Sequence, residues 1–126
     1  MSNSVLIVDD SVSMRFVVKT TLQNSGLTIV EAVNGIDGLE KLQSHPVQIV
    51  ISDLHMPEMD GFEFIRKVRE MPDYKFIPII VLTTEANPVL QQEAKKAGAS
   101  AWVIKPFTSE KLIEVIKKLS PGMVVK

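Results

Sequence analysis

The sequence predicts an α/β protein, an open doubly wound parallel sheet of five strands with five flanking helices, and three observations carry that expectation. Short runs rich in Val and Ile recur at residues 5–8, 49–52, 79–82 and 101–104, and runs apolar on both faces suit strands buried between two helical layers. Segments with helical spacing follow the runs, so strand and helix alternate along the chain. At 126 residues the chain is also about half the length that a closed eight-unit barrel needs, which leaves the sheet open.

Residues 5–8 form the first strand and end in Asp9-Asp10. Ser11 to Ser13 supply hydroxyls suited to capping a helix in which Met14, Val17, Val18 and Leu22 recur at helical spacing, and Gly26 stops it. Residues 28–32 form a shorter strand with Asn34-Gly35 as its turn. Ile36, Leu39 and Leu42 stripe a second helix that His45-Pro46 ends. The third strand, 49–52, runs straight into Asp53, and the turn Met56-Pro57-Glu58-Met59-Asp60-Gly61 follows. Phe64, Ile65, Val68 and Met71 mark one face of the third helix, which Pro72 closes. The fourth strand, 79–82, ends in Thr83-Thr84-Glu85, and Asn87-Pro88 is a cap and first-turn pair for a helix running to Gly98. The last strand, 101–104, ends in Lys105-Pro106. Leu112, Val115, Ile116 and Leu119 then line a final amphipathic helix that Pro121-Gly122 stops. Such alternation implies right-handed crossovers between parallel strands.

Composition narrows the function classes. Hydrophobic residues at 45% and charged residues at 23% match ordinary globular usage, and a net charge of −1 exerts no global pull toward nucleic acid or an anionic membrane. The absence of cysteine excludes disulfides, thiol chemistry and thiolate metal sites, in keeping with a reducing cytosol. The N-terminus lacks the pattern of a signal peptide, and no apolar run approaches a bilayer span. The expectation is a cytoplasmic monomer, one domain over 1–126 with no linker, repeat or output domain.

In a parallel sheet the strand ends share one edge, the edge where open α/β sheets bind ligands. Taken singly, the residues there have ordinary explanations. Asp9-Asp10 can cap a helix, Asp53 can cap a turn, Thr83 suits a strand, and Lys105 suits a solvated loop. Together they bring three acids, a hydroxyl and a cation to one rim. Like charges roughly 4 Å apart repel by about 4 kcal/mol at an effective dielectric near 20, so the acids need more positive charge than Lys105 provides. Hard carboxylate ligands suit Mg²⁺, and His45 and His55 alone make no zinc site. A carboxylate beside Mg²⁺, a lysine and a hydroxyl suits phosphoryl transfer, with Asp53 as nucleophile and Thr83, Lys105 and Mg²⁺ sharing the incoming charge.

Over essentially its whole length the chain resembles the receiver domain of bacterial two-component response regulators, most of all the stand-alone chemotaxis regulators of the CheY type. The matching residues are Asp9, Asp10, Asp53, Thr83 and Lys105, with Met56-Pro57 and Asp60-Gly61 in the third loop and Lys105-Pro106-Phe107 in the fifth. Asp9-Asp10-Ser11 with Arg15 is similar to chemotaxis members in particular. The resemblance implies a flavodoxin-like sheet in the order 2-1-3-4-5. It implies that Asp53 accepts a phosphoryl group from a phosphohistidine on a sensor histidine kinase. Asp10, Asp53 and the backbone carbonyl of His55 would bind Mg²⁺ directly, with Asp9 acting through water. Lys105 would contact the phosphoryl group, and the Lys105-Pro106 peptide is often cis in that family. Thr83 would move toward the phosphoryl oxygens, drawing its loop inward and letting Trp102 change rotamer.

Three features depart from the commonest pattern of that family. Trp102 stands where Tyr or Phe is usual, and a core tryptophan with one exposed edge is the alternative to a switch. Thr84 stands where Ala, Gly or Ser is usual, with bulk that would narrow access to the phosphoryl group. His55 and Glu85 occupy positions that tune the lifetime of the acyl phosphate, and a solvated loop histidine is the alternative for His55.

By the same resemblance, output uses the face of the fourth helix, fifth strand and fifth helix, which Lys95, Lys96, Lys111, Lys117 and Lys118 make locally basic. That face is either a docking surface for a downstream protein, such as a flagellar motor switch or a phosphotransfer protein, or simply a solvated one. Three function classes follow. The first is a phosphorylation-switched signalling protein, no enzyme beyond its own phosphoryl acceptance and autodephosphorylation. The second is a phosphorelay shuttle or phosphate sink. The third is a Mg²⁺-dependent phosphohydrolase, which would want a second acid two positions after the nucleophile, where this chain has His55.

Overall fold

Along the chain run β1 (Ser4–Val8), α1 (Val12–Gln23), β2 (Thr28–Ala32), α2 (Gly35–Ser44), β3 (Ile49–Ser52), α3 (Gly61–Glu70), a 3₁₀ turn (Pro72–Tyr74), β4 (Ile79–Thr83), α4 (Pro88–Ala97), β5 (Ala101–Ile104) and α5 (Ser109–Leu119). These elements come from a computed structural model that describes residues 3–56, 58–123 and 125. Pro57, placed above in the third loop, lies outside them. The strands form one parallel sheet in the order β2-β1-β3-β4-β5, the order the family resemblance implied. No helix among the described residues is long and apolar enough to cross a membrane.

The central strands β1, β3 and β4 were readable because both of their faces are covered, whereas the edge strands β2 and β5 are partly exposed. All of β3 and β4 is buried, and alternate residues feed two cores. Leu6, Val8, Val50 and Val81 meet Phe64, Ile65 and Val68 of α3 on one side. Val5, Ile7, Ile51 and Ile80 meet Val18 and Leu22 of α1 with Leu112 and Ile116 of α5 on the other. Each such aliphatic side chain stabilises the fold by roughly 1.5–3 kcal/mol.

Side-chain caps start the helices. Ser11 accepts from the Met14 N–H, Asn34 from Asp37, Asp60 from Glu63, Asn87 from Val89 and Thr108 from Lys111, each worth about 1 kcal/mol. Asn34-Gly35, expected as a turn, is instead the cap and first residue of α2, because the Asn34 side chain captures a free helix N–H. Met71, expected within α3, is its C-cap, with Pro72 opening the 3₁₀ turn.

The attachment of α4 is uneven. Its buried residues are Ala94 and Ala97, both near its C-terminal end. There the Arg69 guanidinium donates to the Gly98 carbonyl at 2.6 and 3.1 Å, and to the carbonyls of Tyr74, Lys75 and Ile77 at 3.3, 3.2 and 2.6 Å.

Candidate functional site

Strand register builds the site. Val8 pairs with Ser52, so Asp9 and Asp53 leave β1 and β3 side by side, roughly one strand spacing of 4.8 Å apart. The Asp53 N–H donates to the Val8 carbonyl at 3.0 Å and extends that ladder by one step. Thr83 pairs with Ile104, and the Lys105 N–H donates to the Thr83 carbonyl at 2.8 Å, which delivers the lysine to the same edge.

There the Lys105 Nζ stands 3.1 Å from Asp9 Oδ2 and 3.3 Å from Asp53 Oδ2, and all three side chains are nearly buried. The remaining oxygens are also committed. Asp9 Oδ1 accepts from the Ser11 N–H at 2.9 Å, and Asp53 Oδ1 accepts from the Leu54 N–H at 2.7 Å. The Ser52 hydroxyl donates to the Asp53 carbonyl at 2.9 Å, a support that no sequence signal marked. The peptide from Lys105 to Pro106 is cis.

Asp10 completes the group from the exposed side. Carboxylate oxygens of Asp9, Asp10 and Asp53 lie within 4.8 Å of one another. The doublet does not cap α1, since Ser11 does, and this removes its ordinary explanation. Three carboxylates against one ammonium leave an excess of negative charge in a partly desolvated cleft, so a cation is favoured there. All the donors are hard oxygens and one edge is open to water, which fits Mg²⁺.

Thr83 is fully buried, and its hydroxyl accepts from the Glu85 N–H at 3.2 Å. Glu85 proves to be a meeting point that sequence did not reveal. Its carbonyl accepts the Trp102 indole N–H at 3.0 Å, and its carboxylate faces His55 Nε2 at 3.7 Å and accepts from the Asn87 N–H at 3.3 Å. Trp102 is therefore neither a wholly buried core residue nor a free one. Its ring packs on the core that contains Phe64, and its polar edge is tied to the loop after β4. Thr84 is exposed on that loop. His55 is exposed, with its ring paired to Glu85. Arg15, noted above only for its resemblance to chemotaxis members, donates from Nη1 to the Asp9 carbonyl at 2.6 Å.

Residues 5–117 match the family model described as "Response regulator receiver domain". The chain is 39% identical over 115 residues to the chemotaxis protein CheY1 of Helicobacter pylori, which covers 90% of this chain and 93% of the relative. The structure of the chemotaxis protein CheY4 of Vibrio cholerae superposes with a TM-score of 0.91 at 43% identity, covering 94% of this chain and 99% of that one. At 22% identity, and so informative for fold alone, the receiver domain of a Pseudomonas aeruginosa sensor histidine kinase superposes with a TM-score of 0.87 over 94% of this chain and 98% of that one. Its structure holds a magnesium ion in the active-site cleft. A family match spanning nearly the whole chain, on a 2-1-3-4-5 sheet whose acids and lysine meet at one edge, identifies this chain as a member of the response regulator receiver domain family.

Proposed function

We propose that this response regulator takes a phosphoryl group from a sensor histidine kinase onto Asp53 and passes the signal on through its α4-β5-α5 face, in the cytoplasm and in a chemotaxis pathway. The observation that carries the reading is the Lys105 ammonium held between Asp9 and Asp53, with Asp10 close by at the open side. In the transfer step an Asp53 carboxylate oxygen attacks phosphorus, the phosphorus–nitrogen bond to the kinase imidazole breaks, and an acyl phosphate forms. Lys105, already bonded to Asp53 Oδ2, is positioned to follow the oxygens of the arriving group. Asp10, Asp53 and the His55 backbone carbonyl would hold Mg²⁺, with Asp9 acting through water. When bound, the ion neutralises charge on the phosphoryl oxygens. Hydrolysis of the acyl phosphate by water returns Asp53 to its carboxylate.

The Thr83 hydroxyl, which accepts from the Glu85 N–H, keeps its own proton free to donate to a phosphoryl oxygen. Movement of Thr83 toward that oxygen pulls on Glu85, and through the Glu85 carbonyl on Trp102. Trp102 borders a groove of about 330 Å³ that also involves Gln91, Gln92, Lys95 and Ser100, so the indole links the loop to the outer face. Lys95, Lys96, Lys111, Lys117 and Lys118 are all exposed on α4 and α5. Lys95 and Lys111 line grooves that Trp102 borders, Lys96 lies on the side shared with Arg66 of α3, and the basic face suits a downstream partner with acidic groups. Thr84 and the His55–Glu85 pair flank the mouth and tune phosphoryl access and lifetime. A phosphohydrolase is not favoured, because His55 faces Glu85 where that chemistry wants an acid aimed at the substrate. No observation favours a shuttle or sink over a switch.

The test is labelling with phosphoramidate or acetyl phosphate, with and without Mg²⁺, on wild type and Asp53→Asn. Stoichiometric, acid-labile, Mg²⁺-dependent label lost in the variant is expected. Label that survives the substitution would sink the assignment of Asp53.

A further inference from the structure

Arg15 has no place in the transfer step, yet its side chain is only 12% exposed despite carrying a full charge. Its Nη1 bond to the Asp9 carbonyl, at 2.6 Å, grips the peptide that joins Asp9 to Asp10. The direction of that peptide sets where the Asp10 side chain points. Asp9 and Asp53 are held at both of their carboxylate oxygens. The Asp10 carboxylate, in contrast, has no hydrogen-bond partner among the described residues and is exposed. Asp10 is thus oriented through its backbone, between the Arg15 bond on one side and the Ser11 N–H bond to Asp9 Oδ1 on the other.

Arg15 also sacrifices a bond to stay there. Its Nε lies 3.4 Å from Glu31 Oε1 but makes no hydrogen bond and is buried, while Lys19 Nζ takes Glu31 Oε2 at 3.2 Å. A buried unsatisfied donor is costly. The guanidinium therefore sits where the Asp9 carbonyl requires it and not where Glu31 would place it best. A charge effect alone would oppose a metal, because a fixed cation beside the acids repels a second one.

We infer that Arg15 is a positioning residue that presets Asp10 for Mg²⁺, and that this orienting effect outweighs the repulsion from its charge. The inference rests on the proposed role of Asp10 as a metal ligand. Groups that hold metal ligands in place typically change affinity by about 10- to 100-fold when lost.

The experiment is a Mg²⁺ titration followed by backbone amide shifts in wild type, Arg15→Lys and Arg15→Gln. Arg15→Lys keeps the charge and the aliphatic stem but lacks the planar fork, so it decides the matter even where Arg15→Gln unfolds. Both variants are expected to keep dispersed, folded spectra and to bind Mg²⁺ about tenfold or more weakly. If only charge mattered, Arg15→Lys would bind as wild type and Arg15→Gln more tightly. Wild-type affinity in Arg15→Lys overturns the inference whatever Arg15→Gln does. Failure of wild type to bind Mg²⁺, or undiminished binding in Asp10→Asn, instead removes the assignment of Asp10 as a ligand, and the inference falls with it.

Discussion

Gly61→Ala is expected to damage the proposed phosphoacceptor, Asp53, without touching an acid. Gly61 opens α3, and its N–H donates to the Leu54 carbonyl at 2.9 Å. A Cβ at this position would stand 2.5 Å from the Asp53 carbonyl oxygen and 2.7 Å from the Leu54 Cα, both main-chain atoms that cannot rotate away. Restoring an ordinary carbon–oxygen approach of about 3.3 Å requires α3 and the Asp53–Leu54 segment to separate by about 0.8 Å. Overpacking of this kind costs roughly 1–3 kcal/mol. The displaced segment carries Asp53, the proposed nucleophile, and a misplacement of about 1 Å can slow a positioned reaction by roughly 10²-fold. Urea denaturation should therefore show a loss of about 2 kcal/mol, and phosphoramidate labelling of the folded variant should slow by at least about tenfold. Gly35→Ala is the control. Its new Cβ would meet the Met59 side chain at 2.9 Å, which can move, so the same measurements should change little. If Gly61→Ala kept wild-type stability and labelling rate, the close approach would not govern the geometry of Asp53.

Three further outcomes follow. Trp102→Phe keeps an aromatic ring, though a smaller one, and deletes the N–H bonded to Glu85, so a loss of at least about 1 kcal/mol in urea titrations and faster amide exchange in residues 84–87 are expected, and unchanged exchange would show that the bond does not hold the loop. Glu58 has φ 70°, a left-handed conformation costly for a side chain, so Glu58→Gly should stabilise the protein by up to about 1 kcal/mol, measured in the same titrations. Partial burial alone would raise the Asp37 carboxyl, but the Val33 N–H, Lys41 and the charge of Arg15 outweigh it and hold the group below its ordinary value. A lowered folded pKa means stability that is present above the unfolded value and lost as pH falls through the folded one. Asp37→Asn should thus be less stable than wild type at neutral pH, with the gap closing below about pH 4 in melting temperatures measured across pH.

The strands and the site acids were legible because both are written in local sequence. Parallel strands covered on both faces read as unbroken apolar runs, and the runs of β1, β3 and β4 stop at Asp9, Asp53 and Thr83, which the structure brings to one edge. The strand order came from family resemblance, since periodicity says nothing about which strands neighbour one another. What sequence hid depends on long side chains that reach across the fold. Arg69 bonds a carbonyl 29 residues away, and Trp102 bonds one 17 residues away. His55 and Glu85 were each singled out, but their pairing exists only because β3 and β4 lie side by side. Met71 was misplaced because its apolar side chain fits the helical stripe, while Pro72 decides its backbone.

The ladder between β1 and β3 acts as a ruler for the chemistry. Side chains alternate across a strand, so sliding β3 by one residue against β1 would put Ser52 opposite Asp9 and point Asp53 toward the wrong layer. The Gln48 side chain, which accepts from the Ser4 N–H at 2.7 Å, and the Lys105 ammonium between Asp9 and Asp53 oppose that slip at the two ends. Val50 and Ile51, locked into opposite cores, hold the ladder in step. Substitutions that let these buried residues change layers would therefore be felt as a misaddressed nucleophile, with the loss of signalling arising in the hydrophobic interior and not at the cleft where it is read.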